Sequence, residues 1–228
     1  MNIFARSGIE PGATVAIVGF GFLGALLAQL AAGVGARVVV LSRREESLPL
    51  ARDLGVDEAI VIPPGKPRLA LEAVRELTQG RFCPVVVEVG GKQESLDLAT
   101  ELTGERGRLV IAGYHQDGTR QVNMQLWNWR GLDVINAHER EPRVYMEGMR
   151  AAIAAVVEGR IKPGKLFTHQ FPLERLGEAL EMATSRPPGF IKALVLMEPV
   201  GAASAKNGLS GSTGATGSRQ QEPVGSAE

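Results

Sequence analysis

The chain has 228 residues, one cysteine, and 25 basic residues set against 25 acidic ones. That balance leaves no global field to draw nucleic acid or an anionic membrane, and no apolar run approaches the length of a bilayer span. Cys83 alone excludes an internal disulfide, and the polar start at Asn2 and Arg6 lacks a signal-peptide core, so the expectation is a cytoplasmic α/β protein.

Residues 1–12 read as the tail of a helix whose earlier turns are missing: Ser7-Gly8 ends it and Pro11-Gly12 makes a turn. A β-branched run, Thr14–Val18, then leads into Gly19-Phe20-Gly21-Phe22-Leu23-Gly24, and helix formers follow to about Gly33. Strand, Gly-x-Gly-x-x-Gly and helix in that order are what a dinucleotide pyrophosphate needs. Gly19 makes the tight turn and Gly21 lets phosphates approach the backbone. Gly24 lets helix and strand pack closely, and the helix offers free N–H groups to the anion. The other reading of these glycines is a tight turn in some other α/β domain.

Arg37–Leu41 is a second apolar strand of the kind buried on both faces. The spacing predicts helices at about Glu45–Leu54, Leu69–Gln79 and Lys92–Leu102, and strands at Glu58–Ile62, Pro84–Val89 and Arg108–Ala112. This alternation predicts βαβ units in a doubly wound parallel sheet. Met124–Trp129 carries both tryptophans, and Leu132–Ile135 reads as a sixth strand. A long amphipathic helix over Pro142–Glu158 has Val144, Met149, Ile153 and Val157 as expected core contacts. Leu166–Phe171 is extended, Leu173–Thr184 helical, and Phe190–Met197 a last strand. Residues 201–228 collapse to Gly, Ser, Ala and Thr and read as a disordered tail. The expected division is therefore 1–12, a dinucleotide-binding unit at 13–140, C-terminal helices and strand at 141–200, and the tail.

The end of the second strand discriminates between cofactors. An acidic residue there would hydrogen-bond the adenosine ribose and select NAD, and FAD sites commonly want the same carboxylate. This chain has Ser42-Arg43-Arg44. A small hydroxyl leaves room for a 2′-phosphate and two guanidiniums offer charge-assisted bonds, which favours NADP over NAD. The competing reading makes Arg43 and Arg44 solvated charges opposite Glu45 and Glu46. Further candidate contacts lie at strand ends, Val89 and Gly90 after the fourth and Ala112, Gly113 and Tyr114 after the fifth, where a flat nicotinamide would meet small residues. Each glycine there is also an ordinary turn residue.

Pro11–Gly24, Ala51-Arg52-Asp53-Leu54-Gly55-Val56-Asp57, Val85–Gly91, Gly107–Gly113, Phe167–Leu173 and Gly189-Phe190-Ile191-Lys192 resemble, in this order, the medium-chain, zinc-type alcohol dehydrogenases and reductases. The resemblance implies a Rossmann-type six-stranded sheet of order 3-2-1-4-5-6 and hydride transfer between a nicotinamide cofactor and an alcohol or carbonyl. It implies pyrophosphate contacts at Phe22 and Leu23, adenosine ribose contacts at Ser42 and Arg43, and a phosphate contact at Lys192. It also implies a homodimer joined along the sixth strand, Leu132–Ile135. Family members carry an N-terminal catalytic domain that holds the zinc and the proton relay. That domain is not matched here, so the expectation is a cofactor-binding portion, inactive alone, with no catalytic or metal residue of its own. A standalone nucleotide-sensing module, or one half of a split dehydrogenase completed by a separate catalytic chain, are the rival readings. His115 is expected as a polar wall near the nicotinamide, and His115 with His138 makes a poor metal pair. His169 is expected to pack toward the catalytic domain, and Cys83 to be a small buried residue. No Tyr-x-x-x-Lys pair supports short-chain dehydrogenase chemistry. Without the catalytic domain, Phe190, Ile191, Leu194 and Leu196 are expected to lack cover.

Overall fold

A computed structural model describes residues 1–197, so the expectation for 201–228 lies outside the described residues. Helix α1 (Asn2–Ser7) ends on left-handed Gly8 and leads through a turn into β1 (Thr14–Val18). Then follow α2 (Phe22–Gly33), β2 (Arg37–Ser42), α3 (Leu48–Asp53), β3 (Glu58–Val61), α4 (Pro67–Leu77), β4 (Cys83–Glu88), α5 (Gln93–Leu102) and β5 (Thr103–Ile111). The chain continues through α6 (Met124–Arg130), β6 (Asp133–Asn136), α7 (Pro142–Val157), β7 (Phe167–Pro172), α8 (Leu176–Ser185) and β8 (Lys192–Leu196). Six strands form one parallel sheet in the order β3-β2-β1-β4-β5-β6, the doubly wound arrangement. β7 and β8 form a separate parallel pair.

The middles of the central strands, Val15–Val18, Val38–Leu41 and Val85–Val87, are unbroken apolar runs because both faces are covered. Val15, Ile17, Val38 and Val40 pack with Ala25, Ala28 and Ala31 of α2 on one face. Ala16, Val18, Val39 and Leu41 pack with Val74 of α4 and Leu96, Ala99 and Leu102 of α5 on the other.

Several boundaries differ from the sequence reading. The helix expected from Glu45 opens as one 3₁₀ turn, Glu45–Ser47, and becomes α-helical only around Pro49, which sits in its first turn where no N–H donor is needed. β5 begins at Thr103, not Arg108; Thr103 pairs with Cys83, and the register shifts before Arg108 pairs with Val85. The tryptophan segment is a helix, capped by the Asn123 carboxamide, which accepts the Leu126 N–H at 3.0 Å. The sixth strand sits one residue later than read, since Leu132 N–H still donates to the Trp127 carbonyl of α6.

The largest correction concerns α7. Val144, Met149, Ile153 and Val157 are exposed, not core residues; Ile153 is 63% and Val157 82% accessible. The helix turns Ala155 inward instead, against Leu30 of α2 and Ile161. Phe190, expected to be uncovered, is buried, whereas Ile191, Leu194 and Leu196 are half-buried.

Candidate functional site: a crevice at the strand ends

The chain reverses its winding direction between β1 and β4, and a crevice opens there beyond their C-terminal ends, as doubly wound sheets require. Gly19 has φ +112°, and a Cβ on it would lie 2.9 Å from the Val89 side chain. Gly24 is held tighter still: its Cβ would stand 2.2 Å from the Gly19 carbonyl oxygen. Gly21 is the N-cap of α2 and has no side-chain cap, and the first turn of α2 carries no acidic residue. Its orphan N–H groups and the positive end of its dipole therefore face the crevice unneutralised, an arrangement suited to an anion.

The crevice encloses about 680 Å³, within the usual range of ligand clefts, about 300–1,000 Å³. One wall is the glycine turn, with Ser42, Arg43 and Arg44 from the end of β2 and Val89 and Gly90 from the end of β4. The facing wall comes from α8 and from Phe190 through Lys192 to Val195. A second, smaller cavity of about 110 Å³ adjoins it, sharing Gly19, Arg43 and Gly90 and lined by Leu41, Ile62, Pro67 and Leu98. Sequence reasoning missed this apolar pocket. The signal was available in the apolar residues that end the second and third strands.

The structure thus brings Gly19, Gly21, Phe22, Leu23, Gly24, Ser42, Arg43, Arg44, Val89, Gly90 and Lys192 to one crevice. Arg43, Arg44 and Lys192 in that set line the same crevice as the uncapped helix end. The Lys192 Nζ stands 5.6 Å from the centre of the Phe22 ring at the start of α2. Arg44 reaches across the crevice and donates to the Phe190 carbonyl at 2.7 Å, tying the two walls together. The Ser42 hydroxyl serves the local turn, accepting the Arg44 N–H at 3.0 Å and lying 3.2 Å from the Ser47 hydroxyl, so Ser42 supplies room more than a free contact. Neither Arg43 nor Arg44 forms an ion pair with Glu45 or Glu46 among the described residues.

Ala112, Gly113 and Tyr114 are not walls of the crevice. The Ala112 and Gly113 N–H groups donate to the Glu88 carbonyl at 2.8 and 2.9 Å, which binds the end of β5 to the end of β4. Tyr114 is 71% exposed and leans toward His138, with ring centres 6.0 Å apart. Nor does His115 line the crevice: its ring turns inward, to Glu88 at 3.0 Å and Arg120 at 2.9 Å. Its pairing with a buried carboxylate twenty-seven residues earlier left no local trace in the sequence. His169 lies half-buried against the Phe190 ring, 5.4 Å between centres.

The residues do not fit a zinc site. No three His, Cys, Asp or Glu side chains gather to hold a metal among the described residues. Cys83 is buried at the start of β4, where burial pushes its thiol up to about 12, so it offers no thiolate at neutral pH.

Sheet order, glycine turn and switch-point crevice together define a Rossmann-class α/β domain. A family model described as zinc-binding dehydrogenase matches residues 23–154, more than half of the chain, and the chain belongs to that family. A 5-exo-hydroxycamphor dehydrogenase of Pseudomonas putida is 28% identical over 189 residues, which cover 82% of this chain and 50% of that protein. A sorbitol dehydrogenase of Gallus gallus is 30% identical over 200 residues, 85% of this chain and 52% of that one. The chain spans about half the length of the curated relatives it matches. Among solved structures, one described as a zinc-binding dehydrogenase of Sinorhizobium meliloti 1021 bound to NADP superposes with a TM-score of 0.72. It is 27% identical, and the match covers 86% of this chain and 55% of that one. The alcohol dehydrogenase TADH from Thermus sp. ATN1, at 23% identity, shares the fold with a TM-score of 0.73, over 86% of this chain and 55% of that one.

Proposed function

We propose that the crevice binds a nicotinamide dinucleotide, NADP(H) ahead of NAD(H), as the hydride-carrier portion of an alcohol dehydrogenase-like oxidoreductase. The observation that carries this reading is the pairing of an uncapped helix N-terminus with Arg43, Arg44 and Lys192 around a crevice whose β2 end bears Ser42 and no carboxylate. The pyrophosphate would sit at Gly21–Leu23 and the adenine in the small apolar pocket beside Leu41, Ile62 and Leu98. A 2′-phosphate would meet Arg43, and Arg44 would have to exchange the Phe190 carbonyl for it. The nicotinamide would run toward the ends of β4 and β5. The NADP-bound relative from Sinorhizobium meliloti supports the cofactor class.

The test is a titration of the chain with NADPH and with NADH, followed by nicotinamide fluorescence. Binding of NADPH at tens of micromolar or tighter is expected, with NADH at least tenfold weaker, the worth of one charge-assisted contact. No binding of NADPH in that range overturns the reading. Arg43→Ala should cost NADPH roughly tenfold while leaving NADH within about twofold.

A second reading, that a separate polypeptide completes the enzyme, is favoured by the uncovered apolar residues of α7 and by Leu173, Leu176 and Leu180 around α8. The described residues gather no metal-ligand set; on this reading the separate chain supplies it, and turnover is expected only from the complex. Co-expression with a GroES-like catalytic domain should then yield a complex that oxidises alcohols; no complex rules against it.

A further inference from the structure

Glu88, at the end of β4, is the one fully buried carboxylate among the described residues, and the cofactor reading gives it no role. One carboxylate oxygen accepts the Gly91 N–H at 2.7 Å and the Ser95 hydroxyl at 2.6 Å; the other meets His115 Nε2 at 3.0 Å. The other ring nitrogen of His115, Nδ1, lies 2.9 Å from Arg120 Nε. A guanidinium only donates, so Nδ1 must accept; the ring proton is then on Nε2 and points at Glu88. The same Arg120 donates through Nη2 to the Gly91 carbonyl at 3.0 Å and pairs with Asp117, which also pairs with Lys92. Hydrogen bonds from Lys92 and Arg120 hold the Asp117 carboxyl well below the usual carboxylate range.

Three of these contacts, Glu88–His115, Arg120–Gly91 and Lys92–Asp117, join the loop after β5 to the segment at the end of β4, and the others brace each side from within. A reciprocal pair adds to it: Gln93 Nε2 donates to the Gln121 carbonyl at 2.8 Å, and the Gln121 N–H donates to Gln93 Oε1 at 3.0 Å. The two segments are pressed together so closely that a Cβ on Gly113 would lie 2.4 Å from Gly91 N and 2.6 Å from Glu88 Oε2. The stretch between β5 and α6 has no regular structure of its own, so this clasp is what fixes it.

We propose that His115 and Arg120 are positioning residues for the nicotinamide end of the cofactor: the Glu88–His115–Arg120 chain holds the post-β5 loop at the height of Gly90, so that the two strand ends form one flat edge for the ring. This rests on the cofactor reading above. The buried carboxylate, the single ring tautomer and the fork of Arg120 form one connected unit, so loss of either loop member frees the edge without touching the glycine turn, Arg43 or Lys192. His115 does not touch the ligand and acts through the loop.

The experiment compares two ligands, NADPH and 2′,5′-ADP, which lacks the nicotinamide half; NADH and ADP replace them if that is the pair the chain binds. Arg120→Ala and His115→Phe should each weaken NADPH about tenfold, the worth of one hydrogen bond to a charged group, and leave 2′,5′-ADP within about twofold. His115→Gln, whose carboxamide can donate to Glu88 and accept from Arg120, should restore NADPH binding. Nitrogen NMR of the unliganded chain should show His115 Nδ1 unprotonated and Nε2 carrying the proton. Equal loss on both ligands, no loss on NADPH in Arg120→Ala, or the opposite tautomer each overturn the inference while the cofactor reading stands. A wild-type chain that binds neither ligand overturns both. Should His115→Phe fail to fold, Arg120→Ala and the tautomer measurement decide.

Discussion

A methyl group at position 24 would stand 2.2 Å from the Gly19 carbonyl, so Gly24→Ala must push α2 off β1. The expected cost is about 1–3 kcal/mol of stability, read by denaturant unfolding, together with loss of dinucleotide binding because the orphan N–H groups move with the helix. Cys83 makes a different prediction. Its thiol, raised from about 9 to about 12 by burial, stays protonated in the folded chain after an unfolded one has ionised. The unfolded state then holds fewer protons, so stability should fall as pH rises from about 9 toward 12, by about 1.4 kcal/mol per pH unit. Cys83→Ser should remove that slope. A folded chain should also resist thiol reagents at pH 8, and rapid labelling there would contradict the burial. At this scale the meeting of the glycines and the basic end of β2 at one crevice was legible because each follows directly from the end of its own strand. Tyr114 and His115 were not, because their places depend on Glu88 and Gly91, which only the folded sheet brings beside them.

Among the elements, strands were read best, since a strand buried on both faces writes its burial at every position, as Val38–Leu41 does. Helix α7 was misread for a physical reason. A 3.6-residue period marks an apolar face but does not say what covers it, and here the packed positions are small ones such as Ala155 while Val157 and Ile153 face outward. Ile153→Glu and Val157→Lys should therefore change stability by less than about 0.5 kcal/mol, while a core substitution such as Val40→Ala should cost about 2 kcal/mol or more. Thermal unfolding of the three variants checks the contrast. The tryptophan helix α6 escaped notice because seven residues give too short a period to see; its Asn123 cap was the readable sign.

For the molecule as a whole, the bare faces of α7 and α8 and the open edge of β6 make self-association the expected solution behaviour. Sedimentation over a range of concentrations should show it, and a sharply monomeric, heat-stable chain would contradict it. Ile153→Glu should weaken the association if it runs through α7, whereas Val134→Pro should weaken it if sheets join along β6. A bound ligand at a hundred times its dissociation constant should raise stability by about 2.7 kcal/mol, seen as a higher melting temperature.

The β1–β4 seam has a kinetic consequence. Val15 lies beside Val85 in the finished sheet, while β2 and β3, which come between them in sequence, stack on the opposite side of β1. Closing that seam means bringing together distant stretches of chain, which is slow compared with forming the helices. The glycine turn leaves β1 at the seam, and Val89 and Gly90, which complete the same wall of the crevice, leave β4 there. During refolding, helical signal should therefore return before the capacity to quench a nucleotide's fluorescence, and added nucleotide should slow unfolding without hastening refolding.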